Sequence, residues 1–260
     1  MPPTRKPPDR SDRLIYGLHP VAEILESRPG RVERIFALRN RAGALGRAVR
    51  TGRLAGVPVT YLSRELLTRK TGRGAVHQGI AAQVAPIAYA DVNEICREAI
   101  GRKSGLLVVL DGIVDPRNLG AALRTCAAAG AAGVILGAKG TAGLTAAATK
   151  ASAGAAERIA VGREARPSKR LAELRERGFQ VVGLDIRGET SWDALDLRGP
   201  LVLVAGGEQR GLRPALIREC STKVAIPLVP GIDSLNVAVA LGVLLFEAVR
   251  QRRRPSGSGG

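Results

Sequence analysis

Three short stretches of the 260-residue chain concentrate side chains able to handle a polar substrate. The first reads Asp111-Gly-Ile-Val-Asp115-Pro116-Arg117-Asn118-Leu-Gly120 and continues to Arg124. The second is Gly206-Gly207-Glu208-Gln209-Arg210-Gly211-Leu212, and the third runs from Pro227 and Leu228 through Asp233-Ser234-Leu235-Asn236. Their amides, carboxylate and guanidinium can orient a hydroxyl or a phosphate and guide a proton. The Asp-Pro turn with Asn118 near a helix start also makes an ordinary cap. Arg124 is set among Ala-Ala-Leu and Thr-Cys-Ala, where a charge is costly unless it is paired or reaches a cleft. The glycines of the second stretch let a ligand approach the backbone, but neither GxGxxG nor a P-loop Gly-Lys-Ser/Thr is present. In the third, Ser234 or Asp233 can cap a helix, which puts Asn236 in its first turn.

The elements that must position these stretches follow from the apolar pattern. Strands are predicted at 106–110, 133–136, 180–184, 201–205 and 223–227, alternating with helices at 118–129, 144–151, 168–177, 214–219 and 234–253. That alternation predicts an α/β domain with a mostly parallel sheet, and ligands of such sheets gather at the C-terminal strand ends. Upstream, strands at 32–38, 57–62 and 79–85 with helices at 20–26, 42–53 and 64–68 make a small α/β unit. The predicted organisation is a mobile basic tail at 1–13, a domain at 14–86, a linker at 87–104 with a polar helical pattern, a domain at 105–253 and a mobile tail at 254–260.

Composition narrows the partner. The net charge is +17 with aromatics at 3 %, which points to a polyanion and excludes an RRM-like sheet that stacks bases on several rings. Residues 1–86 hold 16 basic and 6 acidic side chains and the rest holds 24 and 17, so the smaller unit is the more basic per residue. The 3 cysteines are widely spaced and read as reduced core residues. With 2 histidines and no CxxC or HExxH, no metal site is expected. No apolar run follows the start and the longest, 237–246, is too short for a bilayer, so a cytoplasmic protein without membrane association is expected.

Asp115-Pro-Arg-Asn118-Leu-Gly with Arg124-Thr, Gly206-Gly-Glu208-Gln-Arg-Gly211-Leu, and Ile226-Pro with Ser234-Leu-Asn236-Val-Ala-Val-Ala occur in this order at strand ends. Together, over nearly all of 105–252, they resemble the SpoU/TrmH family of S-adenosylmethionine-dependent RNA ribose 2′-O-methyltransferases, within the SPOUT class. Ile15-Tyr-Gly-Leu-His19-Pro-Val and Gly74-Ala-Val-His77-Gln-Gly79-Ile look like its RlmB-type branch, which methylates a guanosine ribose in 23S, large-subunit ribosomal RNA. The N-terminal domain of that branch is similar to ribosomal protein L30e. The resemblance implies a deep trefoil knot in the C-terminal domain, a homodimer through that domain, and S-adenosylmethionine as cofactor. Carried over by position, Gly206, Gly211, Ile226, Leu228, Leu235 and Asn236 hold the donor. Asn118, Arg124, Glu208, Ser234 and Asn236 fall on catalytic positions, with Arg124 either the base or a positioning group. Gly207 stands where Ser or Ala is usual, and Ala238 where Ser is common. Lys150-Ala-Ser152-Ala-Gly154 is either a substrate loop or a helix end, and His19 and His77 satisfy turns. Alternatives are a methyltransferase of transfer RNA or of antibiotic resistance, and a ribosome-assembly factor that binds RNA without catalysis.

Overall fold

Apolar side chains repeating at three and four residues give the first unit its helices, and short β-branched runs give its strands. The computed structural model describes residues 14–39, 43–72, 74–85, 87–208 and 210–253. The tails expected at 1–13 and 254–260 lie outside the described residues, as do Ala42, Pro86 and Gln209. Two compact units divide after Ile87.

The first unit has strands β1 (Leu14–Tyr16), β2 (Val32–Ala37), β3 (Val59–Tyr61) and β4 (Ile80–Val84), and helices α1 (Leu18–Ser27), α2 (Gly43–Leu54) and α3 (Arg64–Thr71). The sheet order is β1-β4-β2-β3, with β4 antiparallel to both neighbours and β2 parallel to β3. One face buries Val21, Ile24 and Leu25 of α1 and Leu45, Ala48 and Val49 of α2 with Ile35, Ile80 and Ala82. The other buries Leu67 of α3 with Phe36 and Ala81. Gly52 is what lets α2 approach so closely, because a Cβ there would stand 2.1 Å from Ile35 Cδ1. His77 is buried and works within its turn: Nδ1 accepts from the Gly79 amide at 3.1 Å, and Nε2 lies 3.1 Å from Thr68 Oγ1. His19 is exposed.

The second unit opens with α4 (Val92–Ile100), capped by Asp91, whose side chain accepts from Asn93 N. The region 87–104 is therefore not a linker. α4 buries Val92, Ile95, Cys96 and Ala99 in the core of this unit, an amphipathic stripe that its polar outer face conceals in the sequence. Then follow β5 (Leu106–Asp111), α5 (Pro116–Ala128), β6 (Gly133–Gly137), α6 (Ala146–Ala151), β7 (Val161–Glu164), α7 (Pro167–Glu176), β8 (Gln180–Leu184), β9 (Thr190–Ser191), β10 (Leu201–Gly206), α8 (Pro214–Ile217), β11 (Thr222–Ala225) and α9 (Val237–Arg253).

These strands form one parallel sheet in the order β7-β6-β5-β10-β8-β11-β9. Its central strands are apolar on both faces, as a sheet covered by helices on each side requires. Leu107, Val109, Val202 and Val204 pack with α4, Leu171 and Leu174 of α7, and Leu216 of α8. Leu106, Val108, Leu110, Leu201 and Leu203 are equally buried and are left for the opposite face, where α9 meets β10 and α5. Three strands escaped the sequence reading: β1 of the first unit, which has only three residues, and two here. β7 is a short edge strand ending in Arg-Glu, and β9 has only two residues.

α9 starts at Val237, later than the 234 predicted. Asn236, not Ser234 or Asp233, caps it, with Oδ1 accepting from Ala238 N at 2.9 Å. Its far end is anchored by Arg252, which donates to the carbonyls of Leu197, Ser104 and Gly199. Burial pushes that guanidinium below its ordinary range. Arg250 is paired with Glu247 at 2.6 Å, so these two arginines serve the fold rather than waiting for phosphate.

Candidate active site

The three stretches singled out by residue type converge at the C-terminal ends of β5, β10 and β11. β5 and β10 are in register, with Asp111 opposite Gly206, so the loops that follow them leave the sheet side by side. After β5, Gly112 turns with φ 77° and donates its N–H to Thr141 Oγ1 at 2.8 Å. Asp115 caps α5 by accepting from Arg117 N, and Pro116 occupies the first helical position, where a missing N–H costs nothing. Asn118 thus stands in the first turn of α5. After β10, Gly207 bridges to Gly211, whose φ of 60° closes the turn. A Cβ on Gly206 would lie 2.1 Å from the Gly211 carbonyl, and one on Gly207 would lie 1.9 Å from Gly112 O. At 207 the chain has closed into the space that a Ser or Ala would occupy.

A side-chain relay joins residues far apart in sequence. Asn236 Nδ2 donates to Asn118 Oδ1 at 2.9 Å, and Asn118 Nδ2 donates to Glu208 Oε1. With Asn236 Oδ1 engaged by its own helix, each amide has one orientation and the Glu208 carboxylate terminates the chain as acceptor.

A second link sits beneath it. The Asp111 carboxylate, its side chain 1 % exposed, is gripped by Arg213, with Nε to Oδ2 at 2.5 Å and Nη2 to Oδ1 at 2.6 Å. Gly137 makes room for this pair, since a Cβ there would be 2.0 Å from Asp111 Oδ1. The pair ties the end of β5 to the segment just after the glycine loop.

Beside the relay lies a cavity of about 510 Å³, lined by the predicted Gly206, Glu208, Gly211, Ile226, Leu228, Ser234, Leu235 and Asn236. Sequence reasoning missed part of its wall: Leu184, Asp185, Ile186 and Arg187, from the loop after β8. The signal was available, because an apolar strand ending in Asp-Ile-Arg-Gly stands at the same edge as the other three. Asp185 Oδ1 accepts from Arg187 N at 2.9 Å, which folds that loop inward. Arg124 is placed apart from these residues. It is exposed on α5, does not line the cavity, and has no hydrogen-bond or ion-pair partner among the described residues. Its charge is therefore solvated rather than buried, which removes the cost anticipated from its apolar neighbours. Ser152 is fully buried and hydrogen-bonds its own helix end, donating to Thr149 O and accepting from Ala156 N.

The cavity fits an amino-acid-bearing nucleoside. Leu184, Ile186, Val224 and Leu235 offer apolar surface for a base, backbone groups of the glycine loop are open to polar atoms, and Asp185 and Glu208 supply negative charge for a cationic donor. Among the described residues no cluster of three or more His, Cys, Asp or Glu side chains is suited to a metal ion. No described helix is long and apolar enough to cross a membrane.

Comparison with known proteins agrees with this geometry. Residues 105–246 match the SpoU rRNA Methylase family, and residues 14–90 match the RNA 2′-O ribose methyltransferase substrate-binding domain. A protein of Mycobacterium avium described as an uncharacterized tRNA/rRNA methyltransferase is 40% identical over 254 residues, covering 96% of this chain and 82% of the relative. The SpoU methyltransferase AviRb of Streptomyces viridochromogenes, solved with AdoMet, superposes with a TM-score of 0.76 at 25% identity, covering 92% of this chain and 89% of that one. An AdoMet-bound rRNA methyltransferase of Sinorhizobium meliloti gives a TM-score of 0.74 at 27% identity, over 91% and 86% of the two chains. With the strand-end loops, the glycine-floored cavity and the substrate-binding unit all accounted for, the chain belongs to the SpoU family, as an RNA 2′-O-methyltransferase whose cofactor is S-adenosylmethionine.

Proposed function

We propose that the chain methylates the ribose 2′-hydroxyl of a guanosine in 23S, large-subunit ribosomal RNA. The observation that carries this reading is the presence, in one chain, of both a substrate-binding unit and the cavity unit, a pairing shared almost end to end with an rRNA methyltransferase. The choice of guanosine rests on the likeness of Ile15-Tyr-Gly-Leu-His19-Pro-Val and Gly74-Ala-Val-His77-Gln-Gly79-Ile to the RlmB-type branch.

S-Adenosylmethionine, when bound, supplies a methyl group on a cationic sulfur open to in-line attack by an alcohol oxygen. The residues of the chain do the rest. Gly206, Gly211, Ile226, Leu228 and Leu235 hold the donor, and the carboxylate of Glu208 favours its positive charge. Asn118, locked between Asn236 and Glu208, orients the ribose hydroxyl beside the cavity, with Ser234 on the same rim. Arg124, exposed on α5 and without a carboxylate partner among the described residues, grips the phosphate next to the target ribose through its planar fork, while the hydroxyl proton leaves to water. Two copies pair through α9, whose Val239 and Phe246 are 54% and 50% exposed, and the segment from β11 to α9 threads as the trefoil knot. Unpaired thiols at Cys96, Cys126 and Cys220 support a cytoplasmic setting.

The test is transfer of labelled methyl from the donor to 23S ribosomal RNA and to total transfer RNA, followed by nucleoside mapping. Label in 2′-O-methylguanosine of the ribosomal RNA is expected. Label confined to transfer RNA, or donor binding with no transfer to either, would refute it.

A further inference from the structure

We propose that the outer edge of β3 is the surface on which the first unit receives the phosphate backbone of its RNA. β3 is a three-residue edge strand paired only with β2. Cations flank both sides of this two-strand ribbon. On the face shared with α1 and α2, Tyr61 collects two guanidiniums: Arg53 and Arg39 stand 5.8 and 5.9 Å from its ring centre, and Arg53 Nη2 donates to its hydroxyl at 3.3 Å. On the face shared with α3, Lys70 Nζ lies 4.1 Å from the Phe36 ring, and Arg34 donates to Thr60 Oγ1 at 3.0 Å. Phe36 and Thr60 are register partners, so these groups meet across the same rung of the ladder.

None of Arg34, Arg39, Arg53 and Lys70 has a carboxylate within ion-pair distance among the described residues. In the second unit, by contrast, Arg102, Arg170, Arg175, Arg198 and Arg250 each meet one. Ion pairs thus offset part of the basic charge of the second unit, whereas the cations along β3 have none among the described residues. Aromatic rings hold the cations in place without cancelling their charge, which lowers the entropy lost when they engage phosphate. Such a row suits a regular polyanion and supplies no base-stacking platform, in keeping with a chain so poor in aromatics.

This inference rests on RNA being the substrate, as proposed above. The experiment uses the full chain and a 23S ribosomal RNA transcript, with affinity measured against salt concentration. The double variant Arg39→Ala/Arg53→Ala should lower the slope of log affinity on log salt by about 1.4 to 1.8, because each lost phosphate contact removes about 0.7 to 0.9. It should raise KM for RNA while leaving KM for the methyl donor unchanged. Tyr61→Leu removes no charge and should weaken binding about two- to fivefold by releasing the guanidiniums. The control Arg28→Ala/Arg69→Ala removes the same charge elsewhere on the unit and should leave the slope near that of the parent protein. An equal drop in that control would overturn the surface in favour of diffuse attraction. An unchanged slope in Arg39→Ala/Arg53→Ala with increased light scattering would overturn it in favour of cations that merely guard an exposed strand edge. Displacement of the RNA by polyglutamate of equal charge would overturn it in favour of an acidic protein partner. A parent protein that binds no RNA overturns both this surface and the reading beneath it, whereas RNA binding indifferent to the edge overturns the surface alone.

Discussion

Replacing Arg213 by Ala tests whether the buried ion pair beneath the relay sets the two loops above it. Both oxygens of the Asp111 carboxylate are held by Arg213, and no other side chain bonds to them among the described residues. Removing the guanidinium leaves a charge that is 1 % exposed without a partner, a change that typically costs about 3–5 kcal/mol. Because Arg213 is itself 48% exposed, water reaches the vacated side, and the expected loss is at the lower end, about 3 kcal/mol. Asp111→Ala should cost less, about 1–2 kcal/mol, since it leaves only a half-exposed arginine that water can solvate. The double variant should then be no worse than Arg213→Ala alone, a coupling of about 1–2 kcal/mol. Urea unfolding followed by fluorescence of Trp192, the chain's 1 tryptophan, reads the second unit selectively. Donor affinity and rate measured on the folded variants complete the assay. Both should fall, because Asn118 and Glu208 are carried on the two segments the pair joins. Additive effects, or Arg213→Ala within about 0.5 kcal/mol of the parent, would refute the reasoning.

Other outcomes follow from the same geometry. Arg124→Ala should lower the methylation rate about 10²-fold through lost positioning of the ribose, with donor affinity nearly unchanged, since Arg124 does not line the cavity; normal single-turnover kinetics would exclude its role. Gly207→Ala should cost about 1–3 kcal/mol and weaken donor binding, because its Cβ meets Gly112 O at 1.9 Å; calorimetry showing parental affinity would mean that the loop yields freely. Burial pushes the Cys220 thiol up from its usual 9.0 to about 11, and raises Cys96 and Cys126 as well. Iodoacetamide at pH 8 should therefore modify the folded protein far more slowly than the unfolded one. As the folded thiol keeps its proton to higher pH, its contribution to stability is complete below pH 9 and is lost as pH rises toward 11, which unfolding midpoints across that range would register.

Local chemistry made much of the molecule legible in advance. Five-residue apolar runs such as 201–205 have few alternatives to a buried strand, and the polar stretches after them mark the edge where a parallel sheet binds its ligands. The family resemblance, not local chemistry, assigns Gly206, Gly211, Ile226, Leu228, Leu235 and Asn236 to the donor, and all six line one cavity. The amphipathic stripe of α4 was present in 92–100 too, but a polar composition disguised it as a connection. Asn236 shows the limit of local rules. Ser234, Asp233 and Asn236 are all competent caps, and which one serves depends on where the chain leaves the cavity wall and on Asn118 reaching Asn236 from another helix.

What the sequence by itself determined was the class of elements and the chemical inventory at their ends, because strand and helix periodicity, capping and charge act over a few residues. Tertiary structure alone decided the pairings: Asn118 with Glu208, Asn236 with Asn118, and Asp111 with Arg213. These join positions about a hundred residues apart, and no local spacing encodes such distances. They exist because β10 inserts beside β5 with Asp111 opposite Gly206, an order set by burying apolar faces on both sides of the sheet. The same holds for charge: its sign and surplus could be counted along the chain, but which arginines are already neutralised depends on the carboxylates that folding brings within reach.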